Sequence, residues 1–484
     1  MSTDPSSLDG ILREVEARLE REPECVDLHF KRACLLAEIG DTEDAKRAYL
    51  EVLGRSPAHV GALNNLGTLL YLTGYRTAAR SAYTEAIARH PDHPMAHVNL
   101  GNIFLEAGDL APAREHYQAA LALDSGFAEA HRGLGNLLAE LGHEEAAARH
   151  QRLGLRDQRA TELPYRGEAE PVQMLLLVSG RRGDVPIRHL LDDKVFRTFV
   201  VFPNAYDPDA PLPQHDVVFN AIGDADSCAL ALDRAVTLME RTFAPVLNPP
   251  AAVLGTGRAA NSRRLGEIPG VVAPVIVNLS REVLSSTSAE QALAHRGLRF
   301  PLLLRSPGSH NGRHFLRVEN AGGLGAALRE LPGEELTAIQ CLDARGVDGK
   351  YRRYRVMMIG GWLYPLHLAI SSHWKIPYVT EDMTEDVEHR AEEAEFLRDM
   401  PEVLGPGAMA ALADIQEALG LDYAGIDFGL SASGEVLLFE ANASMTLVAP
   451  GRDRRWDYRR AAIQRIEDAV RKMLADTVQV TQVH

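Results

Sequence analysis

A repeat of 34 residues is the feature that most restricts how this chain can fold. Four frames that begin at residues 26, 60, 94 and 128 follow one another without an insertion. The fifteenth residue of every frame is glycine and the twentieth is alanine; in chain order these are Gly40, Gly74, Gly108 and Gly142, then Ala45, Ala79, Ala113 and Ala147. A glycine ends a helix easily because it adopts the left-handed conformation, and an alanine lets two helices approach closely. We therefore expect each frame to fold as two antiparallel helices joined by a turn.

Other positions of the frame follow the same logic. The eighth position holds a small residue in every frame, and the twenty-fourth holds tyrosine in the first three; these residues are Ala33, Gly67, Gly101 and Gly135, then Tyr49, Tyr83 and Tyr117. Pro57 and Pro91 occupy the thirty-second position, where proline stops the second helix. The pattern resembles the tetratricopeptide repeat over about residues 26–159. The resemblance implies an all-α tetratricopeptide-repeat solenoid in residues 1–160, capped by an N-terminal half repeat, whose concave face binds a peptide or protein partner.

Two asparagines on the first helices mark a candidate ligand contact. Asn65 and Asn99 lie one repeat apart, so they would face the same groove of the solenoid. In one interpretation they hold the backbone of an extended ligand, and in the other they are solvated or helix-packing residues. The sequence leaves both interpretations open.

The composition narrows the class of partner. Lys plus Arg is 51 and Asp plus Glu is 67, a net charge of −16, which argues against nucleic acid or an anionic membrane as the main partner. The four cysteines are scattered and are expected to be reduced thiols.

The N-terminus is polar and the apolar runs are short, so the sequence predicts neither a secretion signal nor a membrane span. We therefore expect a cytoplasmic protein. Only six of the basic residues are lysine, so any phosphate site would depend on arginine.

The chain beyond residue 171 alternates between strand and helix signals. Three short apolar runs bounded by turn formers are typical of buried parallel strands: residues 172–179, 198–202 and 217–222. They predict a small α/β subdomain in residues 172–250, in which Asp224 and Asp226 would cap the helix that follows. Residues 251–477 predict an α+β region with two antiparallel hairpins, separated by an acidic, polar segment at residues 380–398.

The second of these hairpins brings oxygen-bearing side chains together. Asp427 interrupts an apolar strand, and Glu440 and Asn442 end the next strand, two residues apart and therefore on one face. Pairing of the two strands would set Asp427 opposite them. Two carboxylates and an amide oxygen suit Mg²⁺, which takes phosphate oxygens and water as its other ligands. The sequence therefore predicts a magnesium site at these three residues.

At these residues the chain resembles the ATP-grasp ligases, in particular the branch that contains the ribosomal-protein glutamate ligase and D-alanine–D-alanine ligase. The resemblance covers roughly residues 172–475 and implies an ATP-grasp fold, α/β and then α+β, with ATP and Mg²⁺ as cofactors. The positions that match the family's nucleotide contacts are Arg258 and Arg305, where the family usually has lysine, Gly308 and Ser309 in the glycine-rich loop, Gln340, Leu342 and Asp343 beside adenine and ribose, and Arg355 at the transferring phosphate. Arginine can also grip phosphate, through two hydrogen bonds.

The resemblance further implies ATP-dependent carboxylate–amine ligation. A small carboxylate substrate takes the γ-phosphate as an acyl phosphate, an amine substrate attacks it, and the repeats recruit a peptide or protein. Arg355, His373 and Lys375 would be the catalytic residues, although the last two also suit a loop with local hydrogen bonds. The alternative is an interaction scaffold whose ATP-grasp domain binds nucleotide but is catalytically degenerate. A small-molecule kinase and a homodimer are also compatible with the resemblance.

Overall fold

The computed structural model describes residues 5–141, 143–155, 160–180, 183–185, 187–206, 209–306, 314–377, 380–447 and 453–482. The chain forms two compact units. The first comprises residues 1–159 and 164–170, and the second comprises residues 160–163 and 171–484. A short strand at Ala160–Glu162 therefore belongs to the second unit.

The first unit is built from antiparallel helix pairs. Its helices are α1 (Pro5–Leu19), α2 (Val26–Ile39), α3 (Thr42–Arg55), α4 (Val60–Leu72), α5 (Arg76–Arg89), α6 (Pro94–Ala107), α7 (Leu110–Leu123), α8 (Ala128–Glu140) and α9 (Glu144–Gly154). The helices α2, α4, α6 and α8 begin where the four sequence frames begin. Gly40, Gly74 and Gly108 have φ of 93°, 86° and 85°, the left-handed conformation expected after the first helix of a frame, and Gly142 lies outside the described residues. The predicted N-terminal helical solenoid is therefore confirmed.

The small residues of the frame make room for the tyrosines. A Cβ added at Gly67 would lie 2.6 Å from Cε1 of Tyr83, and one added at Gly101 would lie 2.9 Å from Cε1 of Tyr117. The Tyr117 ring also lies against Gly133 of the following repeat, where an added Cβ would overlap it. Since Tyr117 is fully buried, it fills space both within its own repeat and between two repeats.

The second unit begins with a mostly parallel sheet, here called the N-terminal sheet. Its strand order is β1–β3–β2–β4–β5, and its strands are β1 (Ala160–Glu162), β2 (Val172–Leu177), β3 (Phe196–Val201), β4 (Val217–Asn220) and β5 (Val246–Leu247). The strand β2 pairs in parallel with both β3 and β4, as the three apolar runs predict. The strand β1 adds to the edge in the antiparallel sense.

Two further sheets make up the rest of the second unit. The four-stranded sheet is antiparallel, in the order β7–β10–β8–β9, and contains β7 (Ile276–Ser280), β8 (Leu302–Arg305), β9 (Phe315–Val318) and β10 (Glu335–Gln340). The C-terminal sheet has the order β12–β11–β13–β14–β6 and contains β6 (Val271–Val272), β11 (Tyr351–Ile359), β12 (Trp362–Ser371), β13 (Tyr423–Leu430) and β14 (Val436–Asn442). Both predicted hairpins, β11–β12 and β13–β14, are present. The region is therefore a mixed α/β fold with several sheets.

Helices cover both faces of the C-terminal sheet. The helices of the second unit are α10 (Ala229–Met239), α11 (Pro250–Leu254), α12 (Arg258–Leu265), α13 (Arg281–Ser285), α14 (Ala289–Ala294), α15 (Leu324–Glu330), α16 (Glu381–Glu385), α17 (Val387–Arg398), α18 (Met400–Leu419, bent at Gly405) and α19 (Arg460–Gln482). Tyr354, Val356 and Met358 of β11 share a core with α17 and α18, whereas Met357 and Ile359 share another core with α19. Among the described residues no helix is both long and apolar enough to cross a bilayer.

The acidic segment at residues 380–398 folds as α16 and α17, for which the sequence pattern predicts no element. Glu393 and Phe396 of α17 are fully buried. The carboxylate of Glu393 contacts His367 of β12 and Arg459, which precedes α19. A charged residue thus occupies a core position of the helix, and this hides the apolar periodicity by which a helix is recognised.

Asn248 joins the N-terminal sheet to the C-terminal sheet. It follows β5 with a φ of 51°, and its side chain is fully buried. Its Nδ2 donates to the carbonyl oxygen of Tyr423 at 2.7 Å, and its Oδ1 accepts the N–H of Tyr423 at 2.8 Å. Asn220, the last residue of β4, donates to the carbonyl oxygen of Asn248 at 3.0 Å. These bonds hold the end of β4 beside β13, and so place the loop that follows β4.

Gly133→Ala tests the space that Tyr117 occupies. The added methyl would overlap a buried ring, so we expect the free energy of unfolding to fall by about 1–3 kcal/mol. Gly54→Ala is the matched control, because a Cβ at Gly54 in α3 meets no atom within 4 Å and alanine is favoured over glycine in a helix by about 1 kcal/mol. Urea unfolding followed by circular dichroism compares the two; an undiminished stability of Gly133→Ala would contradict the packing.

Candidate functional site

A cleft in the second unit contains part of the predicted site. It is narrow, with a cavity volume of about 30 Å³, and is lined by α12, β14 and the loop after β4. The charged and amide side chains of its lining are Asp224, Asp226, Arg258, Asn261, Glu440 and Asn442. Two of the predicted magnesium ligands therefore share the cleft with one predicted phosphate-binding arginine.

Arg258 is held between two carboxylates in this cleft. Its guanidinium donates to Oε1 of Glu440 at 2.6 Å and lies 3.7 Å from Oδ2 of Asp226. Asp226 also accepts the backbone N–H of Arg258 at 3.1 and 3.2 Å, at the N-terminus of α12. A carboxylate at a helix N-terminus is favourable because the first N–H groups have no partner within the helix. Asp226 therefore caps α12, and not the helix that follows it in the chain as the sequence analysis suggested.

Arg355 and Asp427 form a second pair beside the first. They are cross-strand partners on β11 and β13, and two parallel hydrogen bonds of 2.6 and 2.7 Å join the guanidinium to the carboxylate. Glu440 is in turn the cross-strand partner of Asp427. Arg355, Asp427 and Glu440 thus form a row across three neighbouring strands, as the hairpin pattern predicted for the two carboxylates.

The pairing of the strands is irregular next to Arg355 and Asp427. The register shifts between Arg355 and Val356 in the β11–β12 pair, and again between Asp427 and Phe428 in the β13–β14 pair. A bulge of this kind turns the side chains next to it away from their regular direction, and bulges are frequent at functional sites. Both irregularities fall directly at residues of the candidate site.

The charged side chains of the site shift one another's pKa values. Burial alone would raise the pKa of the Glu440 carboxyl, but the positive charges of Arg258, Arg305 and Arg355 lower it to about 2. Attraction to Glu440 raises the pKa of the Arg258 guanidinium. Burial, together with repulsion from Arg258, lowers the pKa of Arg305 to about 10. Near neutral pH the carboxylate and the arginines are all charged, so the site combines several cations with anionic side chains.

Asn261 and Asn442 tie the backbone around Glu440. Asn261 is buried on α12, one turn after Arg258, and donates to the carbonyl oxygen of Ala441 at 2.7 Å. The side-chain oxygen of Asn442 accepts hydrogen bonds from the N–H and Oγ of Ser444 at 2.9 and 3.0 Å. Asn261 therefore holds α12 against the end of β14, which keeps Arg258 opposite Glu440.

The donor chemistry of Asp427, Glu440 and Asn442 fits Mg²⁺, because all three supply oxygen atoms and lie on two paired strands. In this structure each carboxylate is engaged by an arginine, Asp427 by Arg355 and Glu440 by Arg258. Within the part of the chain that the structure describes, no three or more His, Cys, Asp or Glu side chains form a group that could hold a metal ion. The assignment of these residues to Mg²⁺ stays a prediction.

The residues predicted to contact adenine and ribose lie at and after the end of β10. Both the N–H and the side-chain oxygen of Gln340 bond to the backbone of Val275, at 2.9 and 3.1 Å. Leu342 is half-buried, and the exposed Asp343 pairs with Arg345, whose hydrogen bonds lower the pKa of the Asp343 carboxyl. The predicted loop residues Gly308 and Ser309 lie outside the described residues. The nucleotide contacts of all these residues remain predictions.

His373 and Lys375 lie in the loop after β12. The backbone N–H of His373 donates to Oγ of Ser371 at 3.0 Å, and Nζ of Lys375 lies 3.5 Å from the carbonyl oxygen of Phe315, the first residue of β9. Trp374 packs edge-on against the Phe315 ring, with the ring centres 5.4 Å apart. These contacts are local or directed to the four-stranded sheet, as in the interpretation of a loop with local hydrogen bonds. A catalytic role for either residue stays a prediction.

Two residues that shape the cleft were not predicted from the sequence. Asp226 was not expected to cap α12, and Asn261 was not singled out at all. Asp226 follows a buried parallel strand, and ligands of α/β sheets bind at the carboxyl ends of such strands, which is a usable signal. Asn261 follows Arg258 by three residues, so both project from one face of α12. Their partners lie 182 and 180 residues away in the chain, at Glu440 and Ala441, and no local pattern indicates that distance.

The asparagines of the first unit contact other helices. Nδ2 of Asn65 lies 3.4 Å from the hydroxyl of Tyr49 and 3.7 Å from Sγ of Cys34. Nδ2 of Asn99 donates to the side-chain oxygen of Asn64 at 2.9 Å. All of these contacts are partly buried, and they favour the helix-packing interpretation of the two residues.

Comparison with known proteins identifies the repeats. The tetratricopeptide repeat family matches residues 30–75 and 74–126. The chain carries N-terminal tetratricopeptide repeats. No curated protein matches the chain.

Three solved structures are similar to about a third of the chain. MamA from Desulfovibrio magneticus RS-1, from its residue 41 onward, is 23% identical over 32% of this chain and 86% of its own, with a TM-score of 0.29. PilF from Pseudomonas aeruginosa is 21% identical over 31% of this chain and 69% of its own, with a TM-score of 0.29. YrrB, described as a repeat protein with an unusual peptide-binding site, is 18% identical over 30% of this chain and 74% of its own, with a TM-score of 0.27.

Arg355→Met tests the pairing of the buried carboxylate. Asp427 would keep its charge without its two-bond partner, and we expect the free energy of unfolding to fall by about 3–5 kcal/mol. Adding Asp427→Asn should recover part of this loss, because no buried charge then lacks a partner. Arg345→Met is the control, since it removes an exposed, solvent-screened pair with Asp343 and should leave the free energy of unfolding nearly unchanged. If urea unfolding gave the same small loss for both single variants, the buried pair would not stabilise the sheet.

Proposed function

We propose that the second unit binds ATP with Mg²⁺ and joins a carboxylate to an amine, while the repeats recruit a peptide or protein that carries one of the reacting groups. The observation that supports this proposal is the row of Arg355, Asp427 and Glu440 across three strands, with Arg258 bonded to Glu440 in the adjoining cleft. Phosphoryl transfer is catalysed chiefly by positioning and by compensating charge, and this row supplies both signs of charge.

The arginines would hold the phosphates. Arg258 and Arg305 repel each other, since the charge of Arg258 is one cause of the lowered pKa of Arg305. A polyphosphate between them would relieve that repulsion, and each guanidinium can bond two phosphate oxygens. In this proposal the two residues bind the α and β phosphates, and Arg355 binds the phosphoryl group that is transferred.

The carboxylates would hold the metal ion. Asp427 and Glu440, with the amide oxygen of Asn442, would bind Mg²⁺, which supplies charge neutralisation on the phosphates. The carboxylates would then give up hydrogen bonds to Arg355 and Arg258, and the two guanidiniums would bond phosphate oxygens in their place. After this exchange the metal ion would compensate the carboxylates, and the phosphates would compensate the guanidiniums.

The reaction itself has two steps. An oxygen of the substrate carboxylate attacks the γ-phosphorus, the bond to the β–γ bridging oxygen breaks, and ADP leaves an acyl phosphate behind. The amine then attacks the acyl carbon, phosphate departs, and the new amide forms with the loss of one proton from nitrogen. His373 is the proposed acceptor of that proton, and Lys375 would line the acceptor side of the site.

The repeats supply the proposed recruitment. Solenoids of helix pairs present an extended concave surface, and such surfaces commonly bind peptide segments or proteins. A substrate carried by a peptide or protein would be held by the repeats while its carboxylate or amine reacts in the second unit.

An interaction scaffold that binds nucleotide without turnover is the second candidate function. Two observations favour it: arginine stands at both positions where the resembled family usually has lysine, and both predicted metal-binding carboxylates are engaged by arginine. In this candidate the second unit would contribute a nucleotide-dependent interaction, and the repeats would carry the function.

Nucleotide turnover distinguishes the two candidates. The full chain with ATP, Mg²⁺ and a panel of carboxylates and amines is expected to release ADP, and Asp427→Asn combined with Glu440→Gln should lower the rate by about a hundredfold or more, because the charge that holds the metal is gone. Arg471→Met is the control, since the half-exposed Arg471 pairs only with Glu467 and Asp468 of its own helix α19 and should leave turnover unchanged.

Calorimetry with ATP in the presence and absence of Mg²⁺ completes the test. ATP binding without turnover across the panel would favour the scaffold, whereas the absence of any binding would contradict both candidates. Turnover that persisted undiminished in the double variant would contradict the mechanism proposed for Asp427 and Glu440.

A further inference from the structure

Two pairs of histidine rings lie one repeat apart in the solenoid. Nδ1 of His97 on α6 is 3.1 Å from Nδ1 of His116 on α7, and Nδ1 of His131 on α8 is 2.9 Å from Nδ1 of His150 on α9. His97 and His131 occupy the fourth position of their frames, and His116 and His150 the twenty-third. The same contact between the two helices of a repeat is therefore built twice.

The other ring nitrogen of the first histidine decides where the protons lie. Nε2 of His131 is 3.1 Å from the carbonyl oxygen of Ser125, and a carbonyl oxygen only accepts, so Nε2 carries the hydrogen. Neutral His131 then offers a lone pair at Nδ1, and His150 must donate its Nδ1–H to it. Pro91 occupies the same place in the preceding frame, and its backbone favours a proton on His97, so we assign the same arrangement to the His97–His116 pair.

This arrangement limits how many protons each pair can hold. One proton can add at Nε2 of His116 or His150, which leaves the bond between the two Nδ1 atoms intact. A second proton would place an N–H on both facing nitrogens, and two donors 2.9–3.1 Å apart repel each other. The doubly charged pair therefore requires the two facing rings to move apart, which removes the contact that joins the two helices.

The surroundings of the rings favour the neutral forms. Phe104 lies parallel to the His116 ring, with the ring centres 5.6 Å apart, and His131 is buried. Burial lowers the pKa of His97, of His116 and of His150, and the adjacent histidine lowers the last two further. The neighbouring charges are Glu115, which favours charged His116, and Arg149, which disfavours charged His150. On α8, Arg132 and Glu129 pair with each other at 2.9 Å.

We propose that the two histidine pairs make the third and fourth repeats, residues 94–155, open in response to acid. Unfolded histidines titrate near pH 6.5, and the open form can take two protons per pair where the closed form takes at most one. The folded state is thus favoured above about pH 6.5, and the preference is lost as the pH falls below it. Acid would loosen the surface that these repeats present to a partner, whatever reaction the second unit carries out.

The first two repeats supply an internal reference. In the second repeat the same two positions are Leu63 and Ala82, which do not titrate. In the first repeat His29 bonds to the carbonyl oxygen of Pro23 at 2.8 Å, but the facing position is Ala48. Neither repeat contains two facing imidazoles, so both should lose less stability than the third and fourth repeats as the pH falls; the ring of His59, which accepts the N–H of Ala62 at the start of α4, is their own proton-sensitive contact.

Hydrogen exchange of the full chain, followed by mass spectrometry at pH 7.5 and 5.0 and corrected for the intrinsic rate, tests the proposal. Opening of residues 94–155 should increase about tenfold per pH unit below about 6.5 for each pair that opens, while residues 26–90 change little. The matched variant gives both pairs the residues of the second repeat, through His97→Leu, His116→Ala, His131→Leu and His150→Ala. In this variant, residues 94–155 should no longer exchange faster than residues 26–90 when the pH is lowered. If acid still increased the opening of residues 94–155 in the variant, the proposal would be overturned.

A second measurement does not depend on the variant. Nuclear magnetic resonance of the full chain labelled with ¹³C at the histidine rings would follow the individual titrations. The members of each pair should titrate in two separate steps, the second well below pH 6.5 and accompanied by opening. Four independent titrations near pH 6.5 with the helices still packed would show that the facing nitrogens exert no constraint.

Discussion

Compensation of opposite charges on one face of the C-terminal sheet is the constraint on which the second unit depends. Asp427 is nearly buried, and a buried carboxylate without a partner costs several kcal/mol, so the fold requires Arg355 opposite it. The register that aligns β11 with β13 also aligns β13 with β14, and this brings Glu440 next to Asp427. The strand register places the three charged residues side by side, and their ion pairs in turn stabilise that register. The polar cleft is therefore already assembled in the folded chain.

The preference for arginine over lysine follows from this requirement. Arg355 makes two parallel bonds to the carboxylate of Asp427, a geometry that the planar guanidinium provides and a single ammonium does not. Arg258 similarly serves Glu440 and Asp226 at once. Arginine at these places satisfies the carboxylates when no ligand is bound and remains chemically able to grip phosphate. The scarcity of lysine is thus chemically compatible with phosphate binding.

How far the sequence predicts this molecule differs between its parts. The repeat helices and the hairpin that pairs Asp427 with Glu440 could be predicted because their signals are local: a period of 34 residues, and two strands joined by a short turn. The segment at residues 380–398 could not, because Glu393 becomes a core residue only through His367 and Arg459, far away in the chain. The cap of α12 by Asp226 was missed for the same reason. Local periodicity predicts elements, whereas polar pairs between distant elements emerge only from the fold.

The same distinction separates the scaffold of a repeat from its chemistry. The frame determines that positions four and twenty-three face each other across the two helices, but it does not determine which residues stand there. In successive repeats they are His29 and Ala48, Leu63 and Ala82, His97 and His116, then His131 and His150. The backbone tolerates all of these combinations, and only the last two bring two imidazoles within hydrogen-bonding distance. Two substitutions per repeat are therefore enough to add or remove a proton-dependent contact without altering the solenoid that carries it.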